Sequence, residues 1–279
     1  KWLERGSLDD LFGIERSAPA RREDIASSAP ERSVKAVAGK SLDELAGAPV
    51  LITREHGKGK AIYLNFFLAS YVEERRDAKE GKWKQLLGRA LREAGVQPEF
   101  RVLTSGGRPL DGFEQISFSS GAARYLGLLK NEEIEARTSE MTVELDKAYH
   151  VYDVRTKKYH GITRSIRDSI RTAEPKLYAL LPVAVGGVKI SAERPARRGA
   201  RFGYKVVVDA GEGVNPIVVM RVYRPDGTLA REYSENLEAK GGAAAAGFHL
   251  ALNDPVGPWK LVAIDAASGK QATLAFTLQ

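Results

Sequence analysis

The residue types that most often carry out chemistry are few and dispersed in this chain. Cysteine is absent, which excludes a thiolate nucleophile, a disulfide and a cysteine-bound metal. A catalytic zinc needs about three protein ligands in one place, and no H-x-x-x-H helix motif is present. The four histidines are His56, His150, His160 and His249. Pairing through a turn near Thr156 places His160 opposite Asp153, not opposite His150. We therefore predict no metal site and no cofactor.

Paired carboxylates occur as neighbours within polar segments. Glycoside hydrolysis needs two carboxyl groups that face each other across the sugar, about 5–10 Å apart. Adjacent residues of one segment point in different directions, so they cannot form such a pair. The pairs are Asp9-Asp10, Glu73-Glu74 and Glu132-Glu133. A serine hydrolase elbow, G-x-S-x-G, is also missing. These patterns indicate solvated surface carboxylates, and we predict no catalytic residues in this chain.

Exposed aromatic rings could stack on the faces of sugars, and three residues are candidates for such a carbohydrate contact. Tyr152 and Tyr159 lie on the two arms of a predicted hairpin and are expected to meet across it. Trp259 opens the alternating segment WKLVAID, and it shares one strand face with Leu261 and Ala263. That alternation favours a Trp259 ring packed between two sheets over a ring that binds sugar.

Composition bounds the remaining function classes. The chain has 279 residues, a formal net charge of +7 and a sequence pI near 9.4. Its basic residues occur as scattered pairs without an aromatic-studded motif, so nucleic-acid binding is not expected. No apolar run approaches the roughly 18–20 residues of a membrane span. The sequence begins at Lys1 without a visible signal peptide, and we expect it to be an internal piece of a larger protein.

Residues 1–100 carry the signals of a partial α/β layer. SLDDLFGI predicts a short helical turn capped by Ser7, and two β-rich runs that flank HGKGK predict a hairpin. A phosphate loop would need a helix after these glycines, whereas a strand follows. That strand, AIYLNFF, is apolar nearly throughout, which is typical of a strand covered on both faces. A helix follows, with Trp83, Leu86 and Ala90 at helical spacing and Gly95 as its stop.

The remaining chain predicts two antiparallel β domains. Residues 101–186 contain short runs at the spacing of such a domain, including the hairpin arms HVYDV and KYHGI, with a linker at Gly186-Gly187. Residues 188–279 carry about six or seven strand signals, which is typical of an immunoglobulin-like sandwich. The small-residue stretch GGAAAAG is expected to be a loop. The fold class is therefore mainly β and multidomain, with a partial α/β layer first.

Three stretches resemble parts of bacterial glycosidases. GSLDDLFGI, followed by PVLITREHGKGKAIYLNFFLASY and a helix that ends in REAGV, resembles the class I glutamine-amidotransferase-like domain of bacterial β-galactosidases, known as the trimerisation domain. Only the C-terminal part of that domain would be present. AYHVYDVRTKKYHGITRSI and EPKLYALLP resemble the small β domain that follows it. LNDPVGPWKLVAIDAASGKQATLAFTL is similar to immunoglobulin-like modules that end large bacterial extracellular proteins.

The resemblance implies a non-catalytic C-terminal region of a bacterial glycosidase-like protein that serves oligomerisation and domain spacing. Its expected partners are the upstream domains of its own chain, which would include the catalytic barrel, and further copies in a trimer. The expected location is periplasmic or extracellular. Two alternatives stay open at this point: a carbohydrate-binding β-sandwich module, and a structural envelope protein without a sugar ligand. An enzyme that acts alone is the least favoured interpretation.

Overall fold

The computed structural model describes residues 6–18, 29–68, 71, 81–110, 112–130, 138–192 and 195–279. The chain divides into two compact units, Lys1–Pro98 and Glu99–Gln279. Over the described ranges the protein is mainly β, as the sequence predicted, and its strands pair antiparallel in several sheets. Neither of its two described α-helices has the length and apolar character that a transmembrane helix requires.

The described part of the first unit contains short strands and helices. Its described elements are α1 (Asp9–Phe12), β1 (Ile14–Arg16), β2 (Val34–Ala36), β3 (Lys40–Leu45), β4 (Ala48–His56), β5 (Gly59–Leu64) and α2 (Gly81–Glu93). β1 pairs with β2, and β4 lies between β3 and β5 in a second sheet. Val50, Leu51 and Ile52 of β4 are fully buried, so the centre of this small core lies on β4.

The helix and the hairpin predicted in this unit are confirmed. Trp83, Leu86 and Ala90 are buried on one face of α2, because their spacing brings them to the same side of a helix. Gly95 follows α2 in the left-handed region at φ 76°, where glycine ends a helix at little cost. His56 of β4 pairs with Gly59 of β5, which places the hairpin turn at the predicted glycines.

Three details of the first unit differ from the prediction. β5 is an edge strand with half-buried residues, because β4 occupies the centre of the sheet. Among the described residues of this unit the paired strands are antiparallel, so the helix-covered α/β layer expected over 1–100 is not supported. Ser7 does not cap α1, which follows Leu8 without a side-chain cap. The Asp9 carboxylate instead accepts the Gly6 N–H at 2.7 Å.

The second unit consists of two β regions. Its described strands are β6 (Arg101–Thr104), β7 (Phe113–Ser120), β8 (Ala123–Lys130), β9 (Thr138–Asp153), β10 (Tyr159–Arg171), β11 (Lys176–Leu181), β12 (Val188–Ala192), β13 (Arg201–Val208), β14 (Ile217–Tyr223), β15 (Glu235–Glu238), β16 (Ala243–His249), β17 (Gly257–Asp265) and β18 (Gln271–Leu278), with a 3-10 turn at Arg231–Tyr233. We call residues 99–187 the curled sheet and residues 188–279 the sandwich.

The curled sheet is organised around β9. The strand order is β10-β9-β11-β8-β7, and β6 also pairs with β9. β9 is a single strand of 16 residues, although the sequence predicted two separate runs in this stretch. It pairs with β10 along one edge and with β11 and β6 along the other. A bridge between Lys130 and Thr172 joins the ends of β8 and β10, so the sheet curls around a core that contains Leu126, Val143 and Tyr178.

The sandwich has two antiparallel sheets, as predicted. Strands β12-β13-β16 form one sheet, and β15-β14-β17-β18 form the other. Buried residues alternate with less buried ones along β14, as expected for a strand with one face in the core. The loop predicted for GGAAAAG is wrong, since Ala243–His249 is β16. Ala244, Ala246 and Phe248 lie at alternate positions of β16, are partly buried and pack against the core.

One apolar core continues from the curled sheet into the sandwich. Tyr152, Ala179 and Leu181 of the curled sheet belong to the same buried cluster as Phe202 and Trp259 of the sandwich. The predicted boundary at 186–188 therefore falls inside one compact unit. The division of the chain into domains 1–100, 101–186 and 188–279 stays a prediction.

Candidate functional site

The β9–β10 hairpin brings together the two tyrosines that the sequence singled out. Tyr152 pairs with Tyr159 across the hairpin, and their ring centroids are 4.7 Å apart at an angle of 28°. The Tyr159 hydroxyl lies 2.6 Å from Nδ1 of His150. The predicted pairing of His160 with Asp153 is wrong, because Tyr159 pairs with Tyr152 and a register shift between Tyr159 and Gly161 leaves His160 without an opposite residue.

The three carbohydrate candidates differ sharply in exposure. Tyr159 is 45% exposed, Tyr152 is 4% exposed and Trp259 is 1% exposed. Trp259 lies in the sandwich core, where its Nε1 donates a hydrogen bond to the Pro255 carbonyl at 2.9 Å. A buried ring offers no face to a sugar, so among these three only Tyr159 is available for stacking. The proposed carbohydrate contact itself stays a prediction.

Tyr152 instead connects the hairpin to the chain that leads into the sandwich. Its hydroxyl oxygen accepts a hydrogen bond from the buried Val185 N–H at 3.0 Å. Burial raises the pKa of the Tyr152 hydroxyl, so this group stays neutral at ordinary pH. The Tyr152 ring also belongs to the core shared by both β regions. We call the contact between the curled sheet and the sandwich the junction, and Tyr152 is one of its residues.

Polar contacts that the sequence did not predict tie the curled sheet to the sandwich. Lys157 Nζ donates to the Ala266 carbonyl at 2.6 Å, and Lys270 Nζ donates to the Gly186 carbonyl at 3.0 Å. The backbone N–H of Ala122 donates to the Gly213 carbonyl at 2.6 Å. Both lysines lie in polar turns that read as solvated loops, so the sequence carries no sign of these long-range bonds.

Glycines permit close backbone approach at this junction. A Cβ on Gly121 would lie 2.0 Å from the Gly213 carbonyl oxygen, and the φ of Gly121 is +59°. A Cβ on Gly186 would lie 2.1 Å from a carboxylate oxygen of Asp209. Distances this short exclude any side chain unless the backbone or the carboxylate moves. At these two glycines, the curled sheet and the sandwich are therefore in such close contact that no side chain fits between them.

A carboxylate in the curled sheet is surrounded by hydrogen-bond donors. Asp168 accepts bonds from the Tyr178 hydroxyl at 2.7 Å and from Lys176 Nζ at 3.0 Å. Burial alone would raise the pKa of Asp168, but the bonds from Tyr178, the Ser169 N–H and Lys176 outweigh it and lower that pKa. Burial and the Asp168 bond raise the pKa of the Tyr178 hydroxyl. Asp168 is thus an ionised structural acceptor, which is unsuited to donating a proton as a general acid.

His160 lies near this carboxylate. Its ring meets Tyr178 edge-on with centroids 6.0 Å apart. Its buried Nε2 makes no hydrogen bond with any residue that the structure describes. Burial, with Lys158 as the next cause, lowers the pKa of His160 and favours the neutral ring. The nearby carboxylate of Asp153 accepts the N–H groups of Arg155 and Thr156 and so holds the hairpin turn.

An open groove of about 720 Å³ runs beside the junction. Gly186, Gly187, Asp209 and Glu212 contribute to its wall. Within the described ranges, no group of three or more histidine, cysteine, aspartate or glutamate residues is arranged to hold a metal ion. The groove is bordered by glycines, apolar side chains, Lys189 and the carboxylates of Asp209 and Glu212.

No protein-family model matches this chain, and no curated protein matches it.

Proposed function

We propose that this chain is a non-catalytic accessory and assembly region of a bacterial glycosidase-like protein, located in the periplasm or outside the cell. The observation that carries the spacing role is the junction of the second unit. There the shared core around Tyr152 and the bonds from Lys157 and Lys270 hold two β regions together. The glycosidase context, including the glutamine-amidotransferase-like and immunoglobulin-like assignments and a trimer, rests on the resemblance of the three sequence stretches.

A spacer must keep the domains at its two ends at a fixed separation. This requires that its own parts do not bend relative to each other. Domains joined by small polar interfaces move relative to one another by default. The curled sheet and the sandwich have instead a common apolar cluster, with Ala179 and Leu181 on one side and Phe202 and Trp259 on the other. Bending at residues 182–187 would expose that cluster to water, which is unfavourable in proportion to the apolar area exposed. Rigid spacing is therefore the role that this unit fits best.

Hydrogen exchange of the complete 279-residue chain, followed by mass spectrometry, tests the rigid junction. Amides of β9 and of β17 should show the same opening free energy, because both strands contribute to one core. The Gly121→Ala chain should lower protection in both strands, whereas Gly227→Ala, at an open turn glycine, should leave the two strands coupled. Independent opening of β9 and β17 in the unaltered chain would refute the spacer.

The assembly role is tested separately by light scattering on an upstream-extended chain. A trimer is the outcome that the resemblance implies. A monomer at all concentrations would contradict the assembly role but would leave the spacer untouched.

The second candidate function is carbohydrate binding, which the exposed ring of Tyr159 favours. This ring is backed by Tyr152 and positioned by His150, and such a fixed aromatic face suits sugar stacking. In affinity electrophoresis against polysaccharides, Tyr159→Ala should abolish retardation, whereas Ile162→Ala, a control on the same strand that is 67% exposed in the native chain, should preserve it. If no polysaccharide retards the chain, carbohydrate binding is refuted, and of the two alternatives to the assembly role only the structural envelope role without a sugar ligand remains.

A further inference from the structure

Strand β7 forms an unusually open edge of the curled sheet. It pairs with β8 from Phe113–Lys130 to Ser120–Ala123 without a register shift, and it ends the strand order of its sheet. Six consecutive residues, Glu114 to Ser119, are exposed. Ile116 is 60% exposed and Phe118 is 52% exposed. An edge strand of this kind presents a row of backbone N–H and C=O groups to any incoming strand.

Several other edge strands of this protein carry features that discourage such pairing. β3 has two register shifts. β10 also has two, and it carries several arginines. β15 is only four residues long and bears two glutamates, while a bridge from Ala196 to Leu278 covers one end of β18. β7 has no proline, no basic residue and no bulge, and its single charge is Glu114. Among the residues that the structure describes, no strand pairs with the outer edge of β7, which also lacks the protective features of these four strands.

The residues of β7 are complementary to a second β7 in antiparallel orientation. Ile116 and Phe118 lie on the same face, because they are two residues apart in a strand. The Phe118 ring is fixed by stacking on Tyr125 at 5.0 Å. A two-fold axis at Ser117 would place each Ile116 directly opposite Phe118 of the other copy. Pairs of an aromatic and a β-branched residue are favourable across strands, and this register forms two of them.

We propose that β7 is a dimerisation strand, through which a second copy of this chain pairs antiparallel around Ser117 and extends the curled sheet across the interface. This inference rests on the assembly role proposed above, and it specifies a two-fold contact, which by itself builds a dimer and not the trimer that the resemblance implies. A two-fold contact uses the same residues of both copies, so one chain supplies both halves of the interface. The contact is short compared with stable interfaces, and the dimer should therefore depend on protein concentration.

The same register makes a distinguishing prediction about charge. Glu114 falls opposite Ser120 of the second copy, and the Ser120 hydroxyl lies 3.4 Å from a carboxylate oxygen of Glu238. Glu114 of one copy then approaches Glu238 of the other copy at each end of the paired strands. The repulsion between these two carboxylates weakens the dimer. Replacing one of them by a neutral isostere should tighten it.

Sedimentation velocity of the complete chain over a wide concentration range tests the proposal. Ile116→Lys should weaken dimerisation by at least about a hundredfold, because an edge lysine opposes strand pairing. Ile162→Lys, the matched control on the bulged strand β10, should not change it. Glu114→Gln should tighten the dimer by about twofold to tenfold, since like charges opposite each other disfavour pairing. Circular dichroism of each variant confirms that it is folded.

A cross-link tests the register directly. The chain contains no cysteine, so Ser117→Cys introduces a single thiol on the proposed axis, where opposite Cα atoms are about 4.5–5.5 Å apart and within disulfide range. Oxidation should give a covalent dimer with Ser117→Cys and little with Glu114→Cys. A dimer or trimer unaffected by Ile116→Lys, or a monomer at every concentration, would overturn the β7 contact. The assembly role is decided separately, by the light scattering of the upstream-extended chain.

Discussion

The ammonium group of Lys157 donates hydrogen bonds to the carbonyl oxygens of Val154 and Ala266, each at 2.6 Å. Lys157 adopts a left-handed backbone conformation with a φ of 62°, which costs a residue with a side chain about 1–2 kcal/mol. The bond to Ala266 reaches across the junction to the turn between β17 and β18. A strained turn residue is thus held in place by a contact with the other β region.

Two substitutions at Lys157 separate the strain from the bonds. Lys157→Met keeps the strained backbone and loses both bonds, and we expect it to destabilise the chain by about 1 kcal/mol. Lys157→Gly loses the same bonds but relieves the strain, so its free energy of unfolding should be higher than that of Lys157→Met by about 1 kcal/mol. Urea unfolding measures both values. Equal stabilities of the two variants would show that the turn stores no strain.

Gly121 should be far more sensitive to a methyl group than an open turn glycine. Gly121 and Gly227 both have positive φ, at +59° and +84°, but only Gly121 faces a backbone oxygen, that of Gly213, at the position of a Cβ. We expect Gly121→Ala to destabilise the chain by about 1–3 kcal/mol more than Gly227→Ala. Thermal or urea unfolding decides this, and similar losses for the two variants would contradict the close fit of the junction.

The Asp168 carboxylate should make stability depend on acidity. Its folded-state pKa lies below the usual value of 3.8, so its contribution is fully present above that value and is lost as the pH falls through the folded pKa. Asp168→Asn should cost about 1.5–3 kcal/mol at pH 7, since a bond to a charged group is lost. The gap between this variant and the native chain should narrow below about pH 4. Urea titrations at both pH values test this, and a gap that stayed constant would count against the assignment.

Trp259 should behave as a core residue. Its ring is 1% exposed and lies 6.1 Å from the ring of Phe276, measured between centroids. Trp259→Ala should cost about 3–5 kcal/mol, whereas Tyr159→Ala, at an exposed ring, should cost well under half of that. Chemical unfolding compares the two. A small loss for Trp259→Ala would mean that the sandwich core does not depend on this ring.

The parts of the fold that follow from local chemistry were predictable. Gly57 and the polar RTK turn marked two hairpins, the spacing of Trp83 and Leu86 marked α2, and the alternation after Trp259 indicated its burial. Each signal lies within a few residues and needs no distant partner. The sandwich as a whole was predictable for the same reason, because its strands are separated by turn residues.

Features that depend on distant partners were not predictable. β5 is as apolar as a buried strand, yet its place at the edge depends on β4 taking the centre of the sheet. The alanines of β16 have little strand preference, and they form a strand because β13 pairs with them. The bond from Lys157 to Ala266 joins residues that are 109 positions apart in the sequence, and no local pattern predicts such a contact.

The core that the curled sheet shares with the sandwich limits how this protein can be cut and recombined. A chain severed after Gly187 would leave Tyr152, Ala179 and Leu181 without their apolar neighbours, and the surface so exposed would favour aggregation. The sandwich therefore cannot be exchanged as an independent cassette, although its seven strands resemble one. Grafting should succeed instead with the whole segment Glu99–Gln279, because the two β regions then keep their common core.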